Sequence, residues 1–277
     1  LGLIGGSYAK ALSDEGYFVG AIDKKKSSVE YALKNGLIQV GETSVKKDFV
    51  KDFDLIVFAL YPHDFINWIK EYQSSIKSGA LITDVTGVKS FVVENVQKIL
   101  RGDLEFVGAH PMAGKEVSGV ENADSKIFVG ANYIVTPTKR NTDENVQAVQ
   151  DLGRALGFER VSSLSPEEHD ETVGFLSHLT HCIAVSLMVS KKSHHLAEYT
   201  GDSFRDLTRI AKINDEMWSE LFLANKDELL KQMDLFEEKF NQLKEDIKND
   251  NREKIRETLR ESTARRKVFD KDAKETK

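Results

Sequence analysis

Two hydrophobic periods divide this chain. From residue 1 to about 164, short runs of consecutive apolar residues alternate with stretches that repeat every three to four positions. The runs at 18–23, 54–60, 80–85, 105–110, 132–136 and 160–164 read as strands, and several are apolar nearly throughout, as strands buried on both faces are. Helical patterns lie between them, at 7–15, 27–36, 63–76, 89–100 and 142–156. Gly16 and the pair Asn35-Gly36 stop two of them, and Ser27 with Glu30 has capping-box spacing. Alternation of this kind predicts a doubly wound α/β fold with a mostly parallel sheet. The four prolines, Pro62, Pro111, Pro137 and Pro166, all fall at ends of predicted elements.

Beyond Ser165 the strand signals stop. Ser165-Pro166-Glu167-Glu168 combines an N-cap serine, a first-turn proline and a glutamate three residues on. The spacing predicts a long helix to about Lys192, a short one over 204–212 and another over 215–225. Its continuation carries Leu229, Met233, Phe236, Phe240, Leu243 and Ile247, a heptad stripe. That stripe is either a core face within one subunit or a helix–helix seam between two. A last helix carries Ile255 and Leu259. The expected division is a domain over 1–164 and an all-α domain over 165–277.

The first residues narrow the chemistry. Gly2 and Gly5 match the second and third glycines of a G-x-G-x-x-G dinucleotide fingerprint, so the first glycine and its strand are expected before Leu1. Gly2, Leu3, Ile4, Gly5 and Ser7 would then lie at the pyrophosphate, at a helix N-terminus whose free N–H groups favour anions. Asp23 ends the next strand, where an acidic residue binds the ribose hydroxyls and disfavours a 2′-phosphate, so NAD is the expected cofactor. Lys24, Lys25 and Lys26 follow and keep NADP open. Ala59 and Leu60, at another strand end, either flank the nucleotide or simply turn the chain.

Three further clusters carry candidate chemistry. Thr83 to Lys89 follows a strand. Gly108-Ala109-His110-Pro111-Met112-Ala113-Gly114 sets a histidine at a strand end, where a neutral imidazole can take the proton of a substrate hydroxyl as hydride leaves. In the helical part His169, His178 and His181 share one helix. The H-E-x-x-H zinc pattern is absent, so they read as polar groups facing a cleft and no metal is expected. Phe204-Arg205-Asp206-Leu207-Thr208-Arg209-Ile210-Ala211 offers Arg209 as a carboxylate fork with Asp206 one turn earlier.

Composition changes this picture little. The 277 residues carry a net charge of −6, which gives no electrostatic case for nucleic acid or an anionic membrane. The single cysteine, Cys182, cannot form an internal disulfide, and a reducing cytoplasm fits it best. Uninterrupted apolar runs fall well short of the ~18 residues that span a bilayer.

Taken together, Gly2-Leu3-Ile4-Gly5-Gly6-Ser7, the H-P-x-A-G loop, Ser177-His178-Leu179-Thr180-His181 and the F-R-D-x-T-R-I-A segment resemble the prephenate/arogenate dehydrogenases of tyrosine biosynthesis. The resemblance implies a Rossmann-type domain followed by a helical dimerisation domain, a homodimer, and NAD-dependent oxidative decarboxylation of prephenate to 4-hydroxyphenylpyruvate. It implies His110 as the catalytic histidine, Arg209 on a substrate carboxylate and paired with Asp206, and His181 at the substrate. His178 and His169 support them, and Glu116 and Trp218 shape or gate the pocket. Two positions depart from the family's pattern. Gly87 stands where a serine hydroxyl often bonds both histidine and substrate, leaving Thr86 or a water to replace it, and Thr180 stands where proline is common. Arogenate as substrate, a 3-hydroxy-acid dehydrogenase of the same two-domain plan, and a non-catalytic NAD-binding dimer are the alternatives.

Overall fold

The computed structural model describes residues 1–192 and 195–269. By internal contacts the chain forms two compact units, Leu1–Leu229 and the segment from Leu230 onward.

The first unit opens with helix α1 (Leu3–Asp14), β1 (Gly20–Ile22), α2 (Lys26–Lys34), β2 (Val40–Glu42) and the single turn α3 (Lys47–Val50). Then come β3 (Leu55–Phe58), α4 (Pro62–Tyr72), β4 (Leu81–Asp84), α5 (Ser90–Ile99), β5 (Glu105–Phe106) and β6 (Gly108–Met112). After a long loop follow β7 (Asn132–Thr136), α6 (Asp143–Ala155) and β8 (Arg160–Ser163). The pairs β1–β2, β3–β4, β4–β5 and β7–β8 are parallel, and β6–β7 is antiparallel. One apolar layer joins β3, β4 and β5 to α4 and α5 through Phe58, Phe65, Ile69, Ile82, Val92 and Phe106. A second joins α1, α6 and β6–β7 through Tyr8, Phe128, Tyr133, Val135, Val149 and Phe158. Helices thus lie on both faces of parallel ladders, as the alternation predicts.

Two local expectations change. The Ser27–Glu30 capping box does not form: α2 begins one residue earlier, after Lys25, whose N–H is taken by Asp23 Oδ1 at 2.7 Å. Pro111 lies inside β6, opposite Tyr133, not at its end. The N–H groups of Val107 and Ala109 bond to β4, at Ile82 O and at the Asp84 side chain. Two residues further on β4 has ended, so position 111 needs no donor and proline costs no ladder bond.

The expected long helix is three pieces: α7 (Pro166–Val173), a π-helical segment over Gly174–Leu179, and α8 (Thr180–Val189). Its capping box is made, with Glu168 N–H on Ser165 Oγ at 3.1 Å and Ser165 N–H on Glu168 Oε2 at 2.8 Å. The 24-residue run from Pro166 is long and apolar enough to cross a bilayer by composition alone. Its buried polar groups, His169, Asp170 and His178, serve the site described below. α9 (Asp202–Thr208) tightens into a 3₁₀ turn over Arg209–Ala211, and α10 (Asp215–Ala224) is capped by Asn214 Oδ1 on Met217 N–H at 2.9 Å. Leu221 of α10 enters the β3–β4–β5 core.

α11 (Lys226–Lys248) and α12 (Arg252–Arg266) complete the described chain. Of the heptad stripe only Leu229 is buried, whereas Met233, Phe236, Phe240 and Ile247 are exposed, Phe240 by 58%.

Candidate active site

His110 is carried by β6 beside the end of β4, within a strand that runs two residues past it. Its ring is the first member of a chain of contacts: His110 Nδ1 lies 2.9 Å from His169 Nε2, and His169 Nδ1 lies 2.8 Å from Asp170 Oδ1. The same carboxylate caps α5, accepting Lys89 N–H on Oδ1 and Ser90 N–H on Oδ2, both at 2.8 Å. Burial works to raise the Asp170 carboxyl, but the His169 bond and the two backbone N–H groups outweigh it and hold it below the ordinary value.

An ionised carboxylate only accepts, so His169 Nδ1 must donate to it. His169 Nε2 then has a lone pair and accepts from His110 Nδ1–H. The chain therefore assigns the tautomer of His110 and leaves its Nε2 lone pair free, as a general base requires. Burial, followed by the nearby His169, Lys89 and His178, pushes the His110 imidazole well below its ordinary value, so it is neutral at physiological pH. Burial likewise lowers His169, against the opposing pull of Asp170.

The other histidines are fixed just as specifically. Asn225 Nδ2 donates to Asp170 O at 2.9 Å and meets His178 Nδ1 at 3.2 Å, which leaves the His178 proton on Nε2. Burial pushes His178 down to about 4, against the opposing pull of Asp170. His181 Nδ1 donates to Ser177 O at 2.8 Å, and its ring stacks on Trp218 at 3.7 Å. His181 is lowered by burial too and keeps an accepting Nε2. The π-helical segment supports this arrangement, since the extra residue in its turn re-aims the helix between His169 and His181.

Several expected roles are revised. Thr86 cannot stand in for a serine at position 87. Its buried hydroxyl lies against Asp84 Oδ2, Val88 O and Lys89 Nζ. At Gly87 itself a Cβ would meet Leu221 at 3.5 Å and His110 Cε1 at 3.8 Å, so the position does face the His110 ring. Arg209 pairs with Glu116, not with Asp206. α9 ends at Thr208 and Arg209 opens the 3₁₀ turn that follows, while the loop after β6 brings Glu116 to the guanidinium.

The expected nucleotide end is the start of α1. Its N-cap, Gly2, offers no side-chain cap, the first turn holds no acidic residue, and a Cβ on Gly2 would meet nothing within 4 Å. Leu3 and Ile4 open the helix itself. A Cβ on Gly5 would come within 2.9 Å of Ala59 Cβ, so this glycine lets α1 close on the end of β3, while Leu60 is exposed. Asp23 follows β1 directly, with its Oδ1 accepting Lys25 N–H at 2.7 Å. Free N–H groups, room for a pyrophosphate and a carboxylate for ribose hydroxyls together fit a dinucleotide. Ser7 is the exception. Its hydroxyl is buried, donates to Leu3 O at 2.7 Å and accepts Asp124 N–H at 3.0 Å, which ties α1 to the loop after β6.

Asp84, Lys89, Asp170 and Asn225 were given no role by sequence reasoning. The signals present were local: Asp84 and Lys89 lie in the Thr83–Lys89 cluster at the end of β4, Asp170 comes immediately after His169, and Asn225 ends the predicted 215–225 helix.

Residues 8–160 match the family model for the prephenate dehydrogenase nucleotide-binding domain, and residues 165–261 that for the prephenate dehydrogenase dimerization domain. The chain is 34% identical to a prephenate dehydrogenase of Bacillus subtilis over 244 residues, 84% of this chain and 65% of the relative, so it spans just under two thirds of that protein's length. It is 31% identical to a prephenate dehydrogenase of Lactococcus lactis over 251 residues, 88% of this chain and 68% of the relative. Among solved structures, the prephenate dehydrogenase of A. aeolicus in complex with hydroxyphenyl propionate and NAD+ superposes with a TM-score of 0.89 at 33% identity, covering 97% of this chain and 96% of that one.

Proposed function

The chain belongs to the prephenate dehydrogenase family, and we propose that it catalyses the NAD-dependent oxidative decarboxylation of prephenate to 4-hydroxyphenylpyruvate, CO₂ and NADH. The observation that carries this reading is the His110–His169–Asp170 chain, which leaves a neutral imidazole with a free Nε2 lone pair beside Gly87. NAD, when bound, supplies the acceptor for the hydride.

His110 Nε2 accepts the hydrogen of the ring hydroxyl as the hydride leaves the carbinol carbon. The bond to the ring carboxylate breaks, CO₂ departs, and its electron pair completes the aromatic ring. The proton returns from His110 to the phenolate oxygen, so no net proton is consumed. His169 and Asp170 hold the tautomer through both transfers. Arg209 takes a substrate carboxylate in place of Glu116, its partner in the free protein. His181, stacked on Trp218, offers an acceptor on the substrate side, with His178 behind it. Gly2, Leu3, Ile4, Gly5, Asp23, Ala59 and Leu60 line the nucleotide end.

The domain boundary is proposed at 164/165, between β8, which ends at Ser163, and α7, which starts at Pro166. The exposed Met233, Phe236, Phe240 and Ile247, together with the dimerization-domain match, support a homodimer through the helical part. The lone Cys182 thiol fits a reducing cytoplasm.

The test is NADH formation from prephenate and NAD, with arogenate and NADP as parallel substrates. Prephenate-dependent NADH with release of 4-hydroxyphenylpyruvate is expected. Turnover of arogenate alone, or of neither substrate by a folded, NAD-binding protein, would sink the assignment.

A further inference from the structure

Beneath His110 lies a buried ion pair that the reaction itself does not use. Lys89 and Asp84 both have fully buried side chains, with Nζ to Oδ2 at 2.6 Å. Such a pair is not an economical way to fill a core, because apolar side chains of similar volume are often at least as stabilising. What distinguishes this one is where its bonds go. Lys89 Nζ also donates to Ala109 O at 2.5 Å and to Thr86 Oγ1 at 3.1 Å, and Asp84 Oδ1 accepts Ala109 N–H at 3.1 Å. Both polar groups of Ala109 are thus held by side chains at the point where β4 ends and its backbone can no longer pair with β6. The carbonyl so held belongs to the peptide that leads into His110.

Lys89 has a second hold on the same machinery. Its own N–H bonds Asp170 Oδ1, the oxygen that also accepts His169 Nδ1–H. One residue therefore grips the backbone before His110 with its ammonium and the far end of the His110–His169–Asp170 chain with its amide.

We infer that Lys89, with Asp84, is a positioning residue of the catalytic base: it fixes the distance between the strand that carries His110 and the carboxylate that sets its tautomer. The inference rests on His110 being the base, as proposed above. The charged and titratable groups that face His110 are Lys89 at the N-cap of α5, Asp84 on β4, His169 and Asp170 on α7, and His178 on the π-helical segment. Lys89 opposes protonation of His110, so its loss moves the acid limb of the pH–rate profile upward, a shift that a purely structural role would not produce.

The test uses Lys89→Met, and Asp84→Asn/Lys89→Met so that no buried carboxylate is left alone. Three quantities are read: kcat and KM, the acid limb of kcat/KM, and the imidazole ¹⁵N shifts of His110 and His169 without ligands. The expected result is a kcat lower by about 10- to 100-fold, the order that ångström-scale misplacement costs. NAD affinity stays unchanged, the acid limb moves up, and His110 shifts from one tautomer to a mixture. A folded double variant with unchanged kcat, acid limb and ¹⁵N shifts overturns the inference. Should neither variant fold, amide exchange of the unaltered protein decides. The Ala109 and Lys89 N–H groups are expected to exchange only through global unfolding, and rapid exchange at Ala109 overturns the clamp. The tautomer and exchange measurements need no substrate, so they stand even if prephenate turnover fails.

Discussion

Replacing His169 by leucine isolates the His110–His169–Asp170 chain as a mechanism. Leucine fills much of the buried volume but offers His110 Nδ1–H no acceptor, and Asp170 keeps its bonds to Lys89 N–H and Ser90 N–H. Leaving a buried donor unpaired costs about 1–3 kcal/mol. If that cost falls on the transition state, kcat drops by roughly 5- to 150-fold, since every 1.36 kcal/mol is tenfold. His110→Asn removes the proposed base, worth about 10²- to 10⁴-fold. Acting independently, the two changes would multiply. If His169 works only through the tautomer and aim of His110, then once His110 is gone nothing remains for His169 to do, and the double variant is no slower than His110→Asn alone. The expected coupling energy therefore equals the whole effect of His169→Leu, about 1–3 kcal/mol. The assay is initial-rate NADH absorbance at saturating prephenate and NAD, with thermal melts and NAD titrations on all four proteins. Multiplicative losses would mean that His169 touches substrate directly, and a His169→Leu rate within twofold of the unaltered protein would mean that the chain does not set the base.

The remaining predictions concern pH, the substrate carboxylate and the glycines. As the proposed base His110 has to be unprotonated, and burial lowers its pKa, so kcat/KM should rise with pH along a limb centred below about 6.5 and stay flat through neutrality; a limb centred above 6.5 would contradict the assignment. His110, His169, His178 and His181 are all lowered in the folded state, so the unfolded chain binds more protons. The stability they confer is present above their unfolded pKa near 6.5 and is lost as pH falls, for His178 down through about 4, which acid-side thermal melts would show. Arg209→Gln should raise the prephenate KM by roughly 10- to 100-fold, the range for losing a charged hydrogen-bond partner, with NAD affinity unchanged; an unaltered KM would remove Arg209 from the carboxylate. Gly2→Ala meets no neighbour and should lower NAD affinity while leaving the melting temperature in place. Gly6→Ala brings a Cβ to 2.8 Å from Ala123 Cβ, and should cost about 1–3 kcal/mol of stability, read as a lower melting temperature. Equal effects from the two glycine changes would refute this separation.

What sequence reasoning could and could not reach follows from the range of the interactions involved. The runs over 54–60 and 80–85 announce β3 and β4 because burial on both faces leaves a continuous apolar signature. Ser165 to Glu168 announces α7 because both capping bonds span three residues. The histidines and Arg209 could be singled out by residue type and motif, but not their partners. His110 reaches His169 across 59 positions, Lys89 reaches Asp170 across 81, and Arg209 meets Glu116 across 93. No local period encodes such pairings; they exist only once β6, α5 and α7 are packed. The hydroxyls of Ser7 and Thr86 show the same limit from the other side. Ser7 stands within the glycine motif and Thr86 next to the position where the family's serine belongs, yet each is claimed by a neighbour, Ser7 by Leu3 O and Asp124 N–H, Thr86 by Asp84 and Lys89. A buried hydroxyl is held by whichever polar group is nearest once packing excludes water, because leaving either group unpaired costs more than a ligand bond would return. Lys89 illustrates the converse. In the sequence it is only the last member of the Thr83–Lys89 cluster, and its role becomes intelligible only when the strand end that its ammonium completes can be seen.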